Sequence, residues 1–400
     1  MRPRLLALVS LLPPWASCLE QKPLAHVDNA ASAYANELLS LHESLVSIES
    51  VSGNEGPVAN FLDDYLSKRG YTVFRQHVQP LPDVPDNENH TNIIAWHGRG
   101  LRPRARVVLT SHIDTVPPPI PYSIGQGPGG ETIIKGRGSV DAKGSVAAMV
   151  VALGRLLAEK RVADDDVLLL FVVGEEAGGG GMLTFSDSLG PDPNQFEAVI
   201  FGEPTQNKLA CGHKGALDCR LEALGVPGHS GYPALGKSAN ERMIHAMARL
   251  LDEDLGSSEN FGNTTVNVGY FNGGVAGNVI AEHALVKMVT RVAVEPEESG
   301  AEVVRQRILD ILHQVDDEAF TLDCAHGYGP VKTNCDVPGF ETDVMAYGTD
   351  IGNLRGNHTR YLYGPGSILV AHGANESLTV EALTTSVDDF QRLILHALNK

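Results

Sequence analysis

The stretch LLLFVVGEEAGGGG, Leu168–Gly181, decides the fold. Its first seven residues are largely apolar, which predicts a strand buried within a sheet. Glu175 and Glu176 follow that strand at once, and a glycine-rich turn comes next. Because a carboxylate is costly to bury unless it is paired or binds a metal, two of them at the end of a core strand indicate a functional site.

The segments around this stretch alternate between strands and helices. RARVVLTSHID (104–114) and EAVIFGEP (197–204) are predicted to be further buried strands, and residues 143–160 place apolar side chains at helical steps of three and four. Strand, helix and strand in this order predict an α/β fold with a mostly parallel central sheet that helices cover on both faces.

A different pattern occupies the middle of the chain. Three segments alternate between polar and apolar residues like antiparallel strands, and two have helical spacing. In chain order they are 215–224, 238–251, 263–274, 283–294 and 298–315. We therefore predict an α+β lid or dimerisation domain at 214–325, inserted into a catalytic domain formed by 19–213 and 326–400.

The composition limits the partners of the protein. The chain has 400 residues, more than one hydrophobic core usually serves, so two domains are expected. Hydrophobic residues make up 42% and charged residues 20%, as in ordinary globular proteins. The net charge of −18 argues against nucleic acid or an anionic membrane surface as a partner.

Residues 1–18 have the features of a secretory signal peptide. Arg2 and Arg4 precede the apolar run Leu5–Leu12, and Ala16–Cys18 are small residues suited to cleavage. We therefore expect a secreted, extracellular protein. An uncleaved anchor or a lipid-modified cysteine at position 18 is the alternative.

The remaining cysteines and the sequons fit an exported glycoprotein. An even number of cysteines suggests two disulfides, and because short loops close most easily, we predict Cys211–Cys219 and Cys324–Cys335. Buried free thiols are the alternative. The sequons are at Asn89, Asn263, Asn357 and Asn375.

Polar side chains that can bind a metal follow three of the predicted strands. They are His112 and Asp114, then Glu175 and Glu176, then Glu203, while Asp141 precedes a predicted helix and His372 lies in a C-terminal loop. Ligands of open α/β sheets bind outside the carboxyl ends of the strands, so we expect these side chains to converge. Imidazole and carboxylate without thiolate suit Zn²⁺ or a neighbouring divalent ion, and a carboxylate can bridge two ions.

The two adjacent glutamates are expected to have different roles. Neighbouring residues that leave a strand point in opposite directions. One of Glu175 and Glu176 can therefore bind metal, while the other stays unligated and acts as a general base.

These segments resemble a known enzyme family. SHIDTVP, GRGSVDAKG, GEEAGG, FGEPT and AHGANES occur in the order found in the dizinc metallopeptidases that include glutamate carboxypeptidase, acetylornithine deacetylase, succinyl-diaminopimelate desuccinylase, carnosinase and the aminoacylases. The resemblance implies that His112 and Glu203 bind one zinc ion, that Glu176 and His372 bind the other, and that Asp141 bridges them. Co²⁺ or Mn²⁺ is the alternative to Zn²⁺.

The resemblance also implies roles for residues that do not bind metal. Asp114 would orient a ligand histidine through its ring N–H, and Glu175 would be the general base. The family often has a cis peptide after the bridging aspartate, here Asp141–Ala142.

The inserted domain resembles the lid of the same family. GVPGHSGYPALGKSAN supplies His229, which would polarise the scissile carbonyl, while Asn278 and Arg291 would bind the carboxylate of the substrate. Taken singly, each of these residues would be an ordinary surface side chain. The resemblance further implies a homodimer through the inserted domain, with His229 reaching the active site of the partner.

These features predict a secreted zinc-dependent carboxypeptidase. It would use metal-activated water to hydrolyse an amide bond next to a free C-terminal carboxylate, in a small peptide or an N-acyl amino acid. One alternative is an N-acyl-amino-acid deacylase with the same chemistry. Another is a secreted binding protein that has lost catalysis, against which the intact Glu175 and the complete ligand set argue.

Overall fold

The computed structural model describes residues 31–79, 90–98, 105–192 and 195–399. The predicted signal peptide at 1–18 and the sequon at Asn89 lie outside these residues. None of the helices within them is both long enough and apolar enough to cross a membrane.

The described residues form seven α-helices and eighteen strands. The helices are α1 Ala31–Ser47, α2 Gly56–Ser67, α3 Lys143–Ala158, α4 Gly180–Ser188, α5 Ala239–Asp252, α6 Gly300–Val315 and α7 Val380–Ala397. The strands of the first half are β1 Tyr71–His77, β2 Thr91–His97, β3 Val107–His112, β4 Ser123–Gln126, β5 Thr132–Lys135, β6 Val167–Val172, β7 Ala198–Gly202, β8 Leu209–His213 and β9 Gly215–Leu224. Those of the second half are β10 Ser257–Ser258, β11 Gly262–Asn263, β12 Thr265–Gly273, β13 His283–Val292, β14 Phe320–Cys324, β15 Val331–Lys332, β16 Thr342–Met345, β17 Thr359–Tyr363 and β18 Ser377–Thr379.

A six-stranded sheet forms the centre of the larger unit. Its order is β1-β2-β6-β3-β7-β17, in which β6, β3, β7 and β17 run parallel and β1 and β2 form an antiparallel edge. The apolar run of β6 is buried along its whole length, because Leu169 and Phe171 belong to the core on one face and Leu168 and Leu170 to the core on the other. The predicted α/β fold with a mostly parallel sheet is confirmed.

The first face of the central sheet is covered by helices and packs closely at the strand that carries Glu203. Helices α1, α2, α3 and α7 supply half of the buried apolar side chains of that core. A Cβ at Gly202 would lie 2.6 Å from Met149 Cε and 2.7 Å from Ser145 Cβ on α3. Only glycine therefore allows β7 and α3 to approach this closely directly before Glu203.

The inserted unit has a separate core. Strands β12-β13-β9-β14 form an antiparallel sheet, and α5 and α6 pack on one face of it. Along β9 the buried residues alternate with exposed ones, so Leu217, Cys219 and Leu221 face the helices. The opposite face carries Arg291 on β13.

The disulfide prediction is wrong. The structure pairs Cys219 with Cys324 and Cys211 with Cys335, at Cα–Cα distances of 4.1 and 5.0 Å. The prediction rested on the low entropic cost of closing a short loop between neighbouring cysteines. The antiparallel register instead places Cys324 directly opposite Cys219 on the adjacent strand. Strand pairing, which a single sequence does not reveal, therefore decides the bridges.

We expect the bridge between Cys211 and Cys335 to contribute strongly to stability. It closes a loop of 124 residues that contains the whole inserted unit, and loops of that length give about 5 kcal/mol by the chain-entropy argument. The double variant Cys211→Ser with Cys335→Ser should therefore unfold at lower denaturant than the parent. Non-reducing peptide mapping is the accompanying control, and a peptide that links Cys211 to Cys219 would contradict the assignment.

Candidate metal centre and substrate crevice

The central sheet brings the predicted metal ligands to one edge. His112 is the last residue of β3, Glu203 follows β7, and Glu175 and Glu176 follow β6. Asp141 lies in the loop before α3. The loop after β6 can turn because Gly174, Gly178 and Gly179 all have positive φ, at 69°, 102° and 73°.

Two groups of donor atoms meet at Asp141. His112 Nε2 lies 3.0 Å from Asp141 Oδ1 and 3.8 Å from Glu203 Oε1. On the other side, His372 Nε2 lies 3.3 Å from Asp141 Oδ2 and 3.0 Å from Glu176 Oε1. Within each group the donor atoms are no more than 4.8 Å apart. Asp141 thus offers one oxygen to each group, as a bridging ligand requires.

The charges of the crevice favour bound cations. Burial raises the pKa of Glu176 and that of Glu203 to about 7, and it raises the pKa of Glu175 well above its usual range. Burial alone would lower the pKa of His112, but the charge of Glu203 and the hydrogen bonds that the ring donates to nearby carboxylates raise it well above its usual range. So many carboxylates in one buried crevice are costly without positive charge. The nitrogen and oxygen donors of both groups fit divalent ions such as Zn²⁺.

Asp114 contacts both the histidine ligand and the glutamate pair. Its backbone carbonyl accepts a hydrogen bond from His112 Nδ1 at 3.0 Å, while its carboxylate Oδ1 is 3.6 Å from that nitrogen. The carboxylate instead accepts the backbone N–H of Glu175 and that of Glu176, each at 3.1 Å, and the hydroxyl of Ser52 at 2.7 Å. The same residue that fixes the histidine ring therefore also fixes the turn that carries both glutamates.

Arg291 faces the same crevice from the inserted unit. Its side chain is half-buried and lines the crevice together with Glu175, Tyr328 and Tyr347. Among the described residues it makes no side-chain hydrogen bond or ion pair, although its charge acts on nearby Asp218. A partly buried guanidinium that has no partner among the described residues and lies in the same crevice as the two donor groups is suited to bind a carboxylate.

His229 and Asn278 are neighbours, but they do not line this crevice. Both are exposed; His229 bridges to Val279, and the N–H of Ser230 donates to the carbonyl of Asn278 at 3.1 Å. The N–H of Gly231 donates to His229 Nδ1 at 3.0 Å, so a neutral ring carries its proton on Nε2. The ring is thus prepared to donate a hydrogen bond, but within one chain it does not face the crevice.

Sequence reasoning missed Tyr347, which lines the crevice, and the buried Asp350, which contacts the lining residue Asn353. Asp350 is buried, its Oδ1 accepts a hydrogen bond from Asn353 Nδ2 at 2.9 Å, and burial raises its pKa to about 6. Tyr347 donates its hydroxyl to the carbonyl of Pro204, directly after Glu203, at 3.0 Å. Neither residue follows a predicted strand, so no strand-end signal pointed to them. The segment YGTDIGN, with glycines and an isolated carboxylate, was the only indication.

Solved structures place the fold with the metallopeptidases. The M20 family metallo-carboxypeptidase Sso-CP2 from Sulfolobus solfataricus superposes with a TM-score of 0.68 at 17% identity, over 90% of this chain and 99% of that one. The YXEP protein of Bacillus subtilis, described as a dinuclear metal binding peptidase from the M20 family, superposes with a TM-score of 0.62 at 14% identity, over 92% and 99%.

The sequence comparisons identify the family. Residues 211–319 match the peptidase dimerisation domain, and residues 92–200 match peptidase family M28. A peptidase M20 domain-containing protein of Sordaria macrospora is 48% identical over 94% of this chain and 88% of its own length. A "Probable carboxypeptidase" of Aspergillus fumigatus is 42% identical over 92% and 88%. The chain therefore belongs to the M20 peptidase family, and it is a hydrolase that acts on peptide bonds.

Proposed function

We propose that this chain is a secreted, zinc-dependent carboxypeptidase of small peptides. The observation that supports it best is the unpaired guanidinium of Arg291 in the crevice that also holds the two donor groups. A free C-terminal carboxylate bound there would bring the last peptide bond to the metal centre. The two disulfides support an oxidising, extracellular location.

In this proposal Glu175 handles the proton. Its carboxylate belongs to neither donor group, and Asp114 holds its backbone in place. Burial raises its pKa, so it can accept a proton from water and then pass it to the leaving amine. Metal ions held by His112, Asp141, Glu176, Glu203 and His372 would lower the pKa of water and stabilise the charge that develops on the attacked carbonyl oxygen.

The proposal includes a homodimer in which His229 acts in trans. The match of residues 211–319 to the peptidase dimerisation domain supports pairing through the inserted unit. Apolar side chains near His229 are strongly exposed, with Tyr232 at 66% and Leu235 at 78%. A partner chain that covers them would remove this apolar surface from water. The same contact would bring His229 Nε2–H towards the crevice of the partner chain.

Arg291→Ala should raise KM for peptides with a free C-terminal carboxylate. The variant loses a charge-assisted anchor, so we expect a rise of about tenfold or more. Steady-state kinetics on a panel of dipeptides, their C-terminal amides and N-acyl amino acids would measure it.

One control variant and the substrate panel itself test this interpretation. Arg220→Ala removes a cation from the same sheet, one that pairs with Glu222, and should leave KM unchanged. A parent enzyme that cleaves acids and amides equally well would refute the anchor. Cleavage of N-acyl amino acids in preference to dipeptides would identify a deacylase instead.

A further inference from the structure

A buried ion pair connects the loop that carries Asp141 to the loop that carries His372. Arg137 and Glu376 have side chains that are 4% and 1% exposed, and Arg137 Nη1 lies 2.7 Å from Glu376 Oε2. They lie in GRGSVDAKG and AHGANES, but neither has a role in the proposed chemistry. Because a buried ion pair offsets its desolvation only when its other polar atoms are also hydrogen-bonded, its remaining contacts reveal what it holds in place.

Glu376 holds the backbone of the bridging aspartate. Its Oε1 accepts the N–H groups of Val140 and Asp141, both at 3.3 Å. Strand β18 pairs with β5 so that Ser377 lies opposite Lys135, and the N–H of Gly136 donates to the carbonyl of Glu376 at 3.3 Å. The pairing of β18 with β5 thus places the Glu376 carboxylate beside the loop that carries Asp141.

Arg137 holds the loop that carries His372. Its Nη1 also donates to the carbonyl of Gly373 at 3.3 Å, and its Nε donates to the carbonyl of Pro118 at 3.1 Å. His372 itself has φ of 60°, in the left-handed region that residues other than glycine adopt only at an energetic cost. Its side chain is 50% exposed, so little packing holds it.

The other histidine ligand does not depend on such a restraint. His112 ends a central strand and is 1% exposed, and Glu203 directly follows the neighbouring strand. The position of these two ligands comes from the core of the sheet. The position of His372 comes from a loop, and the hydrogen bond from Arg137 to the next residue is one of the contacts that fix it.

We propose that Arg137 is a positioning residue for the ion bound by Asp141, Glu176 and His372, and that Glu376 couples it to the backbone of the shared Asp141. The inference rests on the proposed two-metal centre. The two ions should therefore differ in how strongly their binding depends on Arg137. Loss of the Arg137 contacts should weaken binding at the His372 side and spare the ion at His112 and Glu203.

The test is zinc titration of the full-length, metal-stripped protein by calorimetry, with elemental analysis after dialysis. Arg137→Met removes every polar contact of the side chain. Arg137→Lys retains a positive charge opposite Glu376, but one ammonium cannot replace the planar fork that reaches two carbonyls as well. We expect the parent to bind two equivalents, and both variants to bind the second about 10- to 100-fold more weakly, as is typical when a residue that orients a metal ligand is lost.

Arg360→Met is the matched control. It removes a partly buried arginine, whose Nη1 lies 2.8 Å from both carboxylate oxygens of Glu297, and it should leave both zinc affinities at the parent values. Circular dichroism checks folding, and Arg137→Lys decides the question if Arg137→Met does not fold.

The outcomes separate this inference from the proposed function. Two equivalents at the parent affinities in Arg137→Lys would overturn the positioning role alone. Equal weakening of both equivalents would overturn it as well, because the proposed effect is selective. A parent chain that binds fewer than two equivalents would overturn the two-metal centre, and the positioning role with it.

Discussion

Glu175→Gln is expected to abolish turnover while leaving the metal content intact. The amide keeps the shape of the side chain but cannot accept a proton from water, so we expect kcat to fall about 10²-fold or more. The carboxylate belongs to neither donor group among the described residues, and the backbone N–H of residue 175 still reaches Asp114 Oδ1. Kinetics and elemental analysis on the same preparation would measure both effects.

The adjacent residue is the matched control. Glu176 Oε1 lies 3.0 Å from His372 Nε2 and belongs to a donor group, so Glu176→Gln should lose metal as well as activity. Each variant replaces one of two adjacent glutamates by glutamine, so the chemical change is the same in both. If they had the same effect on metal content, the division of roles between base and ligand would be wrong.

The central fold could be predicted because its signals are local. Buried parallel strands need continuous apolar residues, and the run at 168–173 met that need on both faces of the sheet. Because such strands end at one edge, the residues after them were expected together, and the structure brings His112, Glu176 and Glu203 to that edge. Their roles as metal ligands remain predictions.

What the sequence left open depends on pairing between distant segments. The partner of Cys219 follows from the register of β9 against β14, and no property of the cysteine itself encodes it. The contacts of the Asp114 carboxylate were missed for a similar reason. HID indicates a histidine and its orienting residue, but only the folded sheet brings the backbone of the glutamate pair, 61 residues further on, within hydrogen-bond distance.

The position of His229 in a single chain does not explain how this residue would reach the crevice. In its proposed role His229 must reach the crevice, yet it is exposed and does not line it. Either the inserted unit moves towards the centre of its own chain, or the crevice is completed by a second chain. Exposed apolar residues around His229 and the match to a dimerisation domain favour the second chain.

Mixed dimers distinguish these two arrangements. The expected effect is that two variants, each inactive alone, regain activity when they form a dimer together. A Glu175→Gln chain has an intact His229, and a His229→Ala chain has an intact base. If His229 acts in trans, the mixed dimer contains one complete site, and random pairing at equal expression should restore about a quarter of the parent activity per chain. Differently tagged chains purified in tandem would isolate the mixed dimer, and kcat per dimer would measure the gain.

The complementary pairing provides the control. When both substitutions are placed on the same chain and co-expressed with the parent chain, each mixed dimer has a chain with neither group. In the trans arrangement its parent crevice lacks His229 and its doubly substituted crevice lacks the base, so the mixed dimer should be inactive. In the cis arrangement the parent chain keeps one complete site, and the dimer should retain about half of the parent activity. Half activity here, together with none in the first pairing, would therefore refute the trans role of His229.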